Sequence, residues 1–268
     1  MNAPNTTHRI AEARAPEVAA RLAAGAAVLL PMGSTETHGP ALPMGDYRIA
    51  DIIADRIAAA AVAAGDDALV AAPIPYGGED FFAGVPGGIS LSGDVLQAIV
   101  TQMAEAFLRN GSRRILVVNG HGGSIAAIEA ASRALRARHG VVIPTLHLWK
   151  VAGPWQAALG GDAAALGHGG DPIASVALHL LPELCRPDAA RPRSAAQPFL
   201  GLPVTGFGTI ACGGAEFAVP IEVAEIAEGG VQAADPRGAN AAHGARIVER
   251  LVGAGAAMLA AMRGAPLA

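Results

Sequence analysis

The apolar run Ala26-Ala27-Val28-Leu29-Leu30 leads into a loop rich in glycine and proline, residues 33–46, and a helical pattern follows directly over 47–64. The same order recurs later. Ile115-Leu116-Val117-Val118 enters Asn119-Gly120-His121-Gly122-Gly123, after which Ile125, Ile128 and Leu135 keep helical spacing through 124–138. Apolar runs without polar alternation are what strands buried on both faces look like, and such strands belong to parallel sheets covered by helices. Further helices are predicted over 94–109, where Leu96, Ile99, Met103 and Phe107 form one stripe, over 172–181 and over 239–262. Short strands are predicted over 68–74 and 141–146, and a strand-like section near 216–223. This alternation predicts an α/β fold, a three-layer α/β/α domain around a mostly parallel sheet. Residues 182–203, rich in proline, read as a surface loop, and no repeat or linker divides the chain. The expected organisation is a flexible N-terminal segment, 1–15, followed by a single domain, 16–268, and 268 residues suffice for a sizeable core.

Loops at the C-terminal ends of strands carry the sites of such folds. Loop 33–46 offers three side chains able to ligate a metal, Glu36, His38 and Asp46. Glu36 and His38 are two apart, so they leave an extended segment on one face. The plain alternative is a turn with a capping Asp and a solvated Glu–His pair. In the second loop, glycines flank His121 and let a ligand or metal approach closely. A phosphate cradle is the competing reading, disfavoured because no Lys follows the glycines. A third segment, 167–175, sets His168 and Asp171 just ahead of a predicted helix.

Together these segments resemble the creatininase family of metal-dependent amidohydrolases. Residues 33–46 match its motif Gly-Ser-x-Glu-x-His-Gly-x-x-Leu-Pro-x-x-x-Asp with one residue fewer before the Asp, and 119–123 match its Asn-Gly-His-Gly-Gly motif. Residues 168–175 match the family's third segment less well. The resemblance implies two divalent ions per subunit, zinc, manganese or iron, with Asp46 shared between them. One ion would take Glu36, Asp46 and His121, the other His38, Asp46 and a further carboxylate. In creatininase proper that carboxylate follows the second-motif His by two residues, where this chain has Gly123, so the assignment passes to Asp171, one methylene shorter than the family's Glu. Two such ions about 3.5–4 Å apart activate a water and polarise a carbonyl together, which suits hydrolysis of an unactivated amide.

Where the family has a Ser and a His after Tyr-Gly, this chain has Glu79 and Phe82, and Ile173-Ala174 replaces Glu-Thr. Those changes argue against creatinine itself. They leave a small amide, cyclic or N-formyl, as the expected substrate, with a short peptide as the alternative. Glu79, Gly122 and Gly123 are the expected substrate contacts. His168 is the candidate general acid/base that protonates the leaving nitrogen, an unperturbed imidazole being suited to that near neutrality; the alternative is that it only braces its loop. The opposing class is a non-catalytic relative that keeps the fold and one metal.

Composition bounds the partners. Net charge is −4 with no basic cluster, which excludes nucleic acid as the expected partner, and aromatics are only 4%, too few for a stacking platform. Charged residues are scarce at 16%, which together with the resemblance points to a homo-oligomer, a hexamer built as a trimer of dimers. Cys185 and Cys212 do not make a disulfide framework, no run of about 20 apolar residues could span a bilayer, and the expected location is the cytoplasm. His139, His147, His179 and His243 read as structural, and Trp149 and Trp155 are assigned to neither core nor pocket.

Overall fold

The computed structural model describes residues 7–78, 81–82, 84–192, 197–206, 208–226 and 234–264. In chain order the elements are α1 (Ala15–Ala23), β1 (Ala27–Met32), α2 (Tyr47–Ala63), β2 (Ala68–Val70), β3 (Gly77–Gly78), β4 (Ser90–Leu91), α3 (Gly93–Arg109), β5 (Ile115–Asn119), α4 (Ile125–His139), β6 (Thr145–His147), α5 (Leu148–Ala152), α6 (Ile173–Leu180), β7 (Val204–Gly206), β8 (Thr209–Cys212), β9 (Ala215–Ala218), α7 (Val223–Ile226) and α8 (Ala241–Gly264). Strands β2-β1-β5-β6 form an all-parallel sheet.

The predicted three-layer architecture is observed, and the side-chain alternation along each strand shows why. Ala27 and Leu29 of β1, with Leu116 and Val118 of β5, face one core, which α2, α5, α6 and α8 close. Val28, Leu30 and Met32, with Ile115 and Val117, face the other, closed by α1, α3 and α4. Every residue of β1 and β5 is buried. Each large apolar side chain removed from water in this way contributes about 1.5–3 kcal/mol, so the apolar runs are satisfied only with helices on both faces. Pro31 is tolerated in a central strand because the pairing with β2 ends at Leu29, leaving no ladder donor to supply at that edge.

Two expectations shift. The run 141–146 is strand only from Thr145; Val141 and Ile143 are buried, but Pro144 lacks the N–H a longer ladder would need. The section near 216–223 is strand only to Ala218, with Pro220 soon after, and it belongs to a three-stranded antiparallel sheet, β7-β8-β9, that the sequence reading did not foresee. Its signal was present: Gly213-Gly214, both at positive φ (57° and 80°), make the two-residue hairpin between the paired residues Cys212 and Ala215. The described residues ahead of α1 also bond to α2 and β2. Arg9 pairs with Asp51 at 2.9 Å and Asp55 at 3.2 Å, and the His8 carbonyl accepts from Val70 N–H. No helix among the described residues is long and apolar enough to cross a membrane.

Candidate active site

The register of the sheet sets Met32, the last residue of β1, directly beside Asn119, the last residue of β5. The loops that follow therefore start side by side, joined by a bond from Gly120 N–H to the Met32 carbonyl, 2.8 Å. Asn119 then fixes the turn: its Oδ1 accepts from His121 N–H at 3.1 Å and its Nδ2 donates to the His121 carbonyl at 2.7 Å. The imidazole of His147, on β6, lies 3.0 Å from the same Nδ2. On the other loop, Thr35 is held at both ends, its carbonyl accepting from Ile89 N–H and its hydroxyl donating to the Pro75 carbonyl.

This framing brings Glu36, His38 and His121 together. One Glu36 oxygen lies 3.1 Å from His121 Nε2 and the other 3.5 Å from His38 Nε2. His121 Nδ1 lies 2.9 Å from Ser124 Oγ. With its proton on Nδ1, His121 would leave the Nε2 lone pair for a metal, and Ser124 supplies the outer hydrogen bond such a ligand needs.

Asp46 precedes α2, yet its side chain makes no capping bond to that helix. Its Oδ1 instead accepts from Ser34 N–H at 2.6 Å. Gly33 permits this approach: a Cβ there would sit 2.3 Å from Asp46 Oδ1 and 2.5 Å from Tyr47 N. The capping-Asp alternative is thereby set aside for Asp46. It holds better for Asp171, whose Oδ1 accepts from Ser175 N–H in the first turn of α6 at 2.9 Å, while Oδ2 accepts from Gln156 Nε2 at 2.7 Å.

His168 is nearer the candidate ligands than the sequence suggested. Glu36, His38 and His168 each offer an atom within 4.8 Å of the others. The His168 ring stacks on His38 (centroids 4.9 Å) and on Phe82 (4.2 Å), and its Nε2 lies 2.6 Å from the Thr37 carbonyl. A carbonyl only accepts, so Nε2 carries the proton. Burial, and next the charge of His38, push the His168 pKa down to about 4. The expected unperturbed imidazole is therefore corrected: His168 is neutral at pH 7.

The buried carboxylates and imidazoles of the cluster shift one another's protonation. Burial, reinforced by Glu36, pushes the Asp46 carboxyl up to about 7. Burial would raise Glu36 too, but hydrogen bonds from His121 and His38 hold it well below the usual carboxylate range. His38 is raised, its burial outweighed by Glu36. All of these line one cavity of about 690 Å3, with Asp171, Gly122 and Gly123 also on its wall. No Lys or Arg lines it among the described residues. Buried carboxylates and imidazoles without a fixed cation, and with no thiolate, are a donor set that fits Zn²⁺, Mn²⁺ or Fe²⁺. The rest of the wall is largely apolar: Phe81, Phe82, Trp149, Leu166, Ile173 and Ile221.

A family model described as creatinine amidohydrolase matches residues 11–259. The chain belongs to the creatininase family. Among its relatives, a mycofactocin precursor peptide peptidase of Mycobacterium ulcerans (strain Agy99) is 32% identical over 84% of this chain and 81% of that one. A protein of the same description from Mycolicibacterium smegmatis is 37% identical over a shorter stretch, 58% of each chain. A solved creatinine amidohydrolase has the same fold, with a TM-score of 0.76 at 24% identity over 97% of this chain and 99% of that one. Solved creatininases include a manganese form and a zinc form.

In this creatininase-family chain, loops one and two bring Glu36, His38, Asp46 and His121 to the wall of one cavity. Glu79 lies outside the described residues. Trp149 was not foreseen as a wall; it lines the cavity and its indole N–H donates to the Gly120 carbonyl. Nor were Val219, Pro220, Ile221 and Glu222, which reach the cavity from just beyond β9. Trp155 instead packs against the core beneath Arg250, whose guanidinium carbon is 4.3 Å from its ring centroid.

Proposed function

We propose that the protein is a metal-dependent amidohydrolase that cleaves an amide bond of a peptide, using two divalent ions held by Glu36, His38, Asp46, His121 and Asp171. The observation that carries the chemistry is the buried Glu36–His38–His121 cluster with Asp46 beside it, in a cavity that no Lys or Arg lines among the described residues. Bound there, divalent ions would polarise the amide carbonyl and make water a better nucleophile near neutral pH. The chain's own residues do the rest. Asn119 and Ser124 orient His121, and Ser34 orients Asp46. Neutral His168, its Nε2–H donated to the Thr37 carbonyl, carries its lone pair on Nδ1, the atom that would accept a proton and return it to the leaving nitrogen. Phe82 and His38 hold that ring between them, and the apolar wall keeps bulk water from the reacting groups.

Two observations support a peptide over the small amide first expected. The relatives matched over most of the chain are described as peptidases, and the largely apolar cavity of about 690 Å3 suits side chains more than a small polar ring. Leu166, on the wall yet 44% exposed, offers an apolar rim to a longer substrate. The second reading, hydrolysis of a small cyclic or N-formyl amide, is favoured by the family model's description. Protein purified without chelator, loaded with Mn²⁺ or Zn²⁺ and offered short peptides beside lactams and N-formyl compounds, separates them by mass spectrometry of the products. Peptide cleavage abolished by chelator is the expected result. Cleavage of the small amides alone would establish the second reading, and fully loaded protein inert to every compound would establish the non-catalytic relative.

The proposal includes a cytoplasmic location and a homo-hexamer. Light scattering at micromolar concentration is expected to give several times 26.8 kDa; a monomer mass would remove the assembly from the proposal.

A further inference from the structure

Asp171 is held from outside the cavity by a chain of buried polar groups that no motif announced. Gln156, 3% exposed, donates from Nε2 to Asp171 Oδ2 at 2.7 Å, and its Oε1 lies 2.9 Å from Nε2 of His243, which is fully buried. His243 belongs to the first turn of α8, where its backbone N–H donates to Asn240 Oδ1 at 2.8 Å. Its Nδ1 lies 3.3 Å from the Leu159 carbonyl and 3.4 Å from Arg246 Nη2. The second arm reaches the same carboxylate: Asp171 Oδ1 accepts from Ser175 N–H, and Ser175 Oγ accepts from Asn240 N–H at 3.0 Å.

The order of donors in this chain is fixed. Asp171, as a carboxylate, only accepts, so the amide of Gln156 must turn its NH2 toward it. Gln156 Oε1 is then an acceptor, and His243 must carry a proton on Nε2. Flipping the amide would set two oxygens against each other and two donors together, a costly exchange for buried groups. Space is fixed as well: a Cβ on Gly161 would fall 2.6 Å from Gln156 Cδ and Nε2 and 2.6 Å from His243 Nε2. Each Asp171 oxygen uses one lone pair in these bonds and retains another.

We infer that Gln156, locked by His243, is a positioning residue that holds the Asp171 carboxylate in the one orientation that presents its remaining lone pairs to the second divalent ion. This rests on the proposed ligand role of Asp171. α8 thereby controls affinity at the second ion site without contributing a residue to the cavity wall. Partners of this kind typically change metal affinity 10–100-fold when removed.

The test uses the full-length protein, stripped of metal and titrated with Mn²⁺ or Zn²⁺ against a chromophoric chelator, with the melting temperature of the stripped protein recorded beside it. Gln156→Leu should bind the first ion as the parent does and the second about 10–100-fold more weakly. Gly161→Ala, which removes no donor or acceptor, should shift second-site affinity in the same direction. Added to Asp171→Asn, which should lose the second ion, Gln156→Leu should change nothing further. A role confined to folding would lower the melting temperature and leave the two affinities in their parental ratio. If Gln156→Leu and Gly161→Ala keep the second ion at parental affinity while Asp171→Asn loses it, the positioning role is overturned and the ligand role stands. If Asp171→Asn keeps the second ion, both are overturned. Should Gln156→Leu fail to fold, Gly161→Ala decides by the same criteria.

Discussion

Asp46→Ala is expected to lose both divalent ions and all measurable amide hydrolysis, whereas His38→Ala should lose mainly one ion and remain folded. Asp46 is 1% exposed and its carboxyl is pushed up to about 7, by burial first and by Glu36 next. A second buried carboxylate beside Glu36 is hard to ionise, and His121, His38 and the Ser34 N–H offset that only in part in the metal-free chain. A divalent ion supplies that compensation, so the residue that is hardest to ionise without metal should be the one the ions share. The sign of the pH dependence follows. Below about pH 7 a proton on Asp46 competes with the ions, so metal affinity should fall as pH drops through that value, and uptake at neutral pH should release protons. In Asp46→Ala, buffer-dependent calorimetry should show that release lost together with the binding. Metal analysis finding two ions in Asp46→Ala would end the shared-ligand assignment. Loss of one ion alone would place Asp46 in a single site.

The readability of the chain divides along a physical line. Strands β1 and β5 and the helices after them were legible because full burial on both faces demands uninterrupted apolar runs, and the helices repeat apolar residues at 3–4 residue spacing. Glu36, His38, Asp46 and His121 could be singled out because each sits in a glycine-framed stretch close after a buried apolar strand, although distant residues such as Pro75 and Ile89 also hold the first loop. The rest of the cavity was not. Phe81, Phe82 and the stretch 219–222 come to the site through the small cluster around Phe82, Ile210 and Ile221, a contact between segments about 130 residues apart that no local period encodes. Trp149 gave no signal because a lone Trp looks the same in a core as in a pocket. Gly213-Gly214 was a readable hairpin signal passed over because β9 is short and wholly exposed, so it lacks the alternation by which half-buried strands are recognised. His243 looked structural from its helical setting, and its bond to Gln156 depends on residues 87 positions apart.

His168→Gln is expected to cut turnover about 10²–10⁴-fold, the usual worth of a positioned acid/base group, while leaving both ions bound. Three roles compete for this side chain, and its surroundings rank them. As a ligand it would need a lone pair aimed at the cation beside Glu36 and His38, whose ligating atoms lie within 4.8 Å of one of its own. As a brace it would act through the 2.6 Å bond from Nε2 to the carbonyl of Thr37, the residue between those two proposed ligands. As an acid/base it needs a neutral ring at rest with one nitrogen open to proton traffic. Burial and the charge of His38 ensure the first condition by lowering its pKa to about 4. With the proton on Nε2, the lone pair of the neutral ring is on Nδ1, the nitrogen the second condition concerns. Because the working form is the unprotonated ring, activity due to His168 should persist down to below pH 7 and fall only as pH drops toward its depressed pKa. A glutamine at 168 can restore the bond to Thr37 but cannot move a proton, so it separates brace from acid/base. Full metal with collapsed kcat assigns proton transfer. Loss of one ion would assign ligation, and unchanged turnover with unchanged metal would leave bracing as the whole of its role.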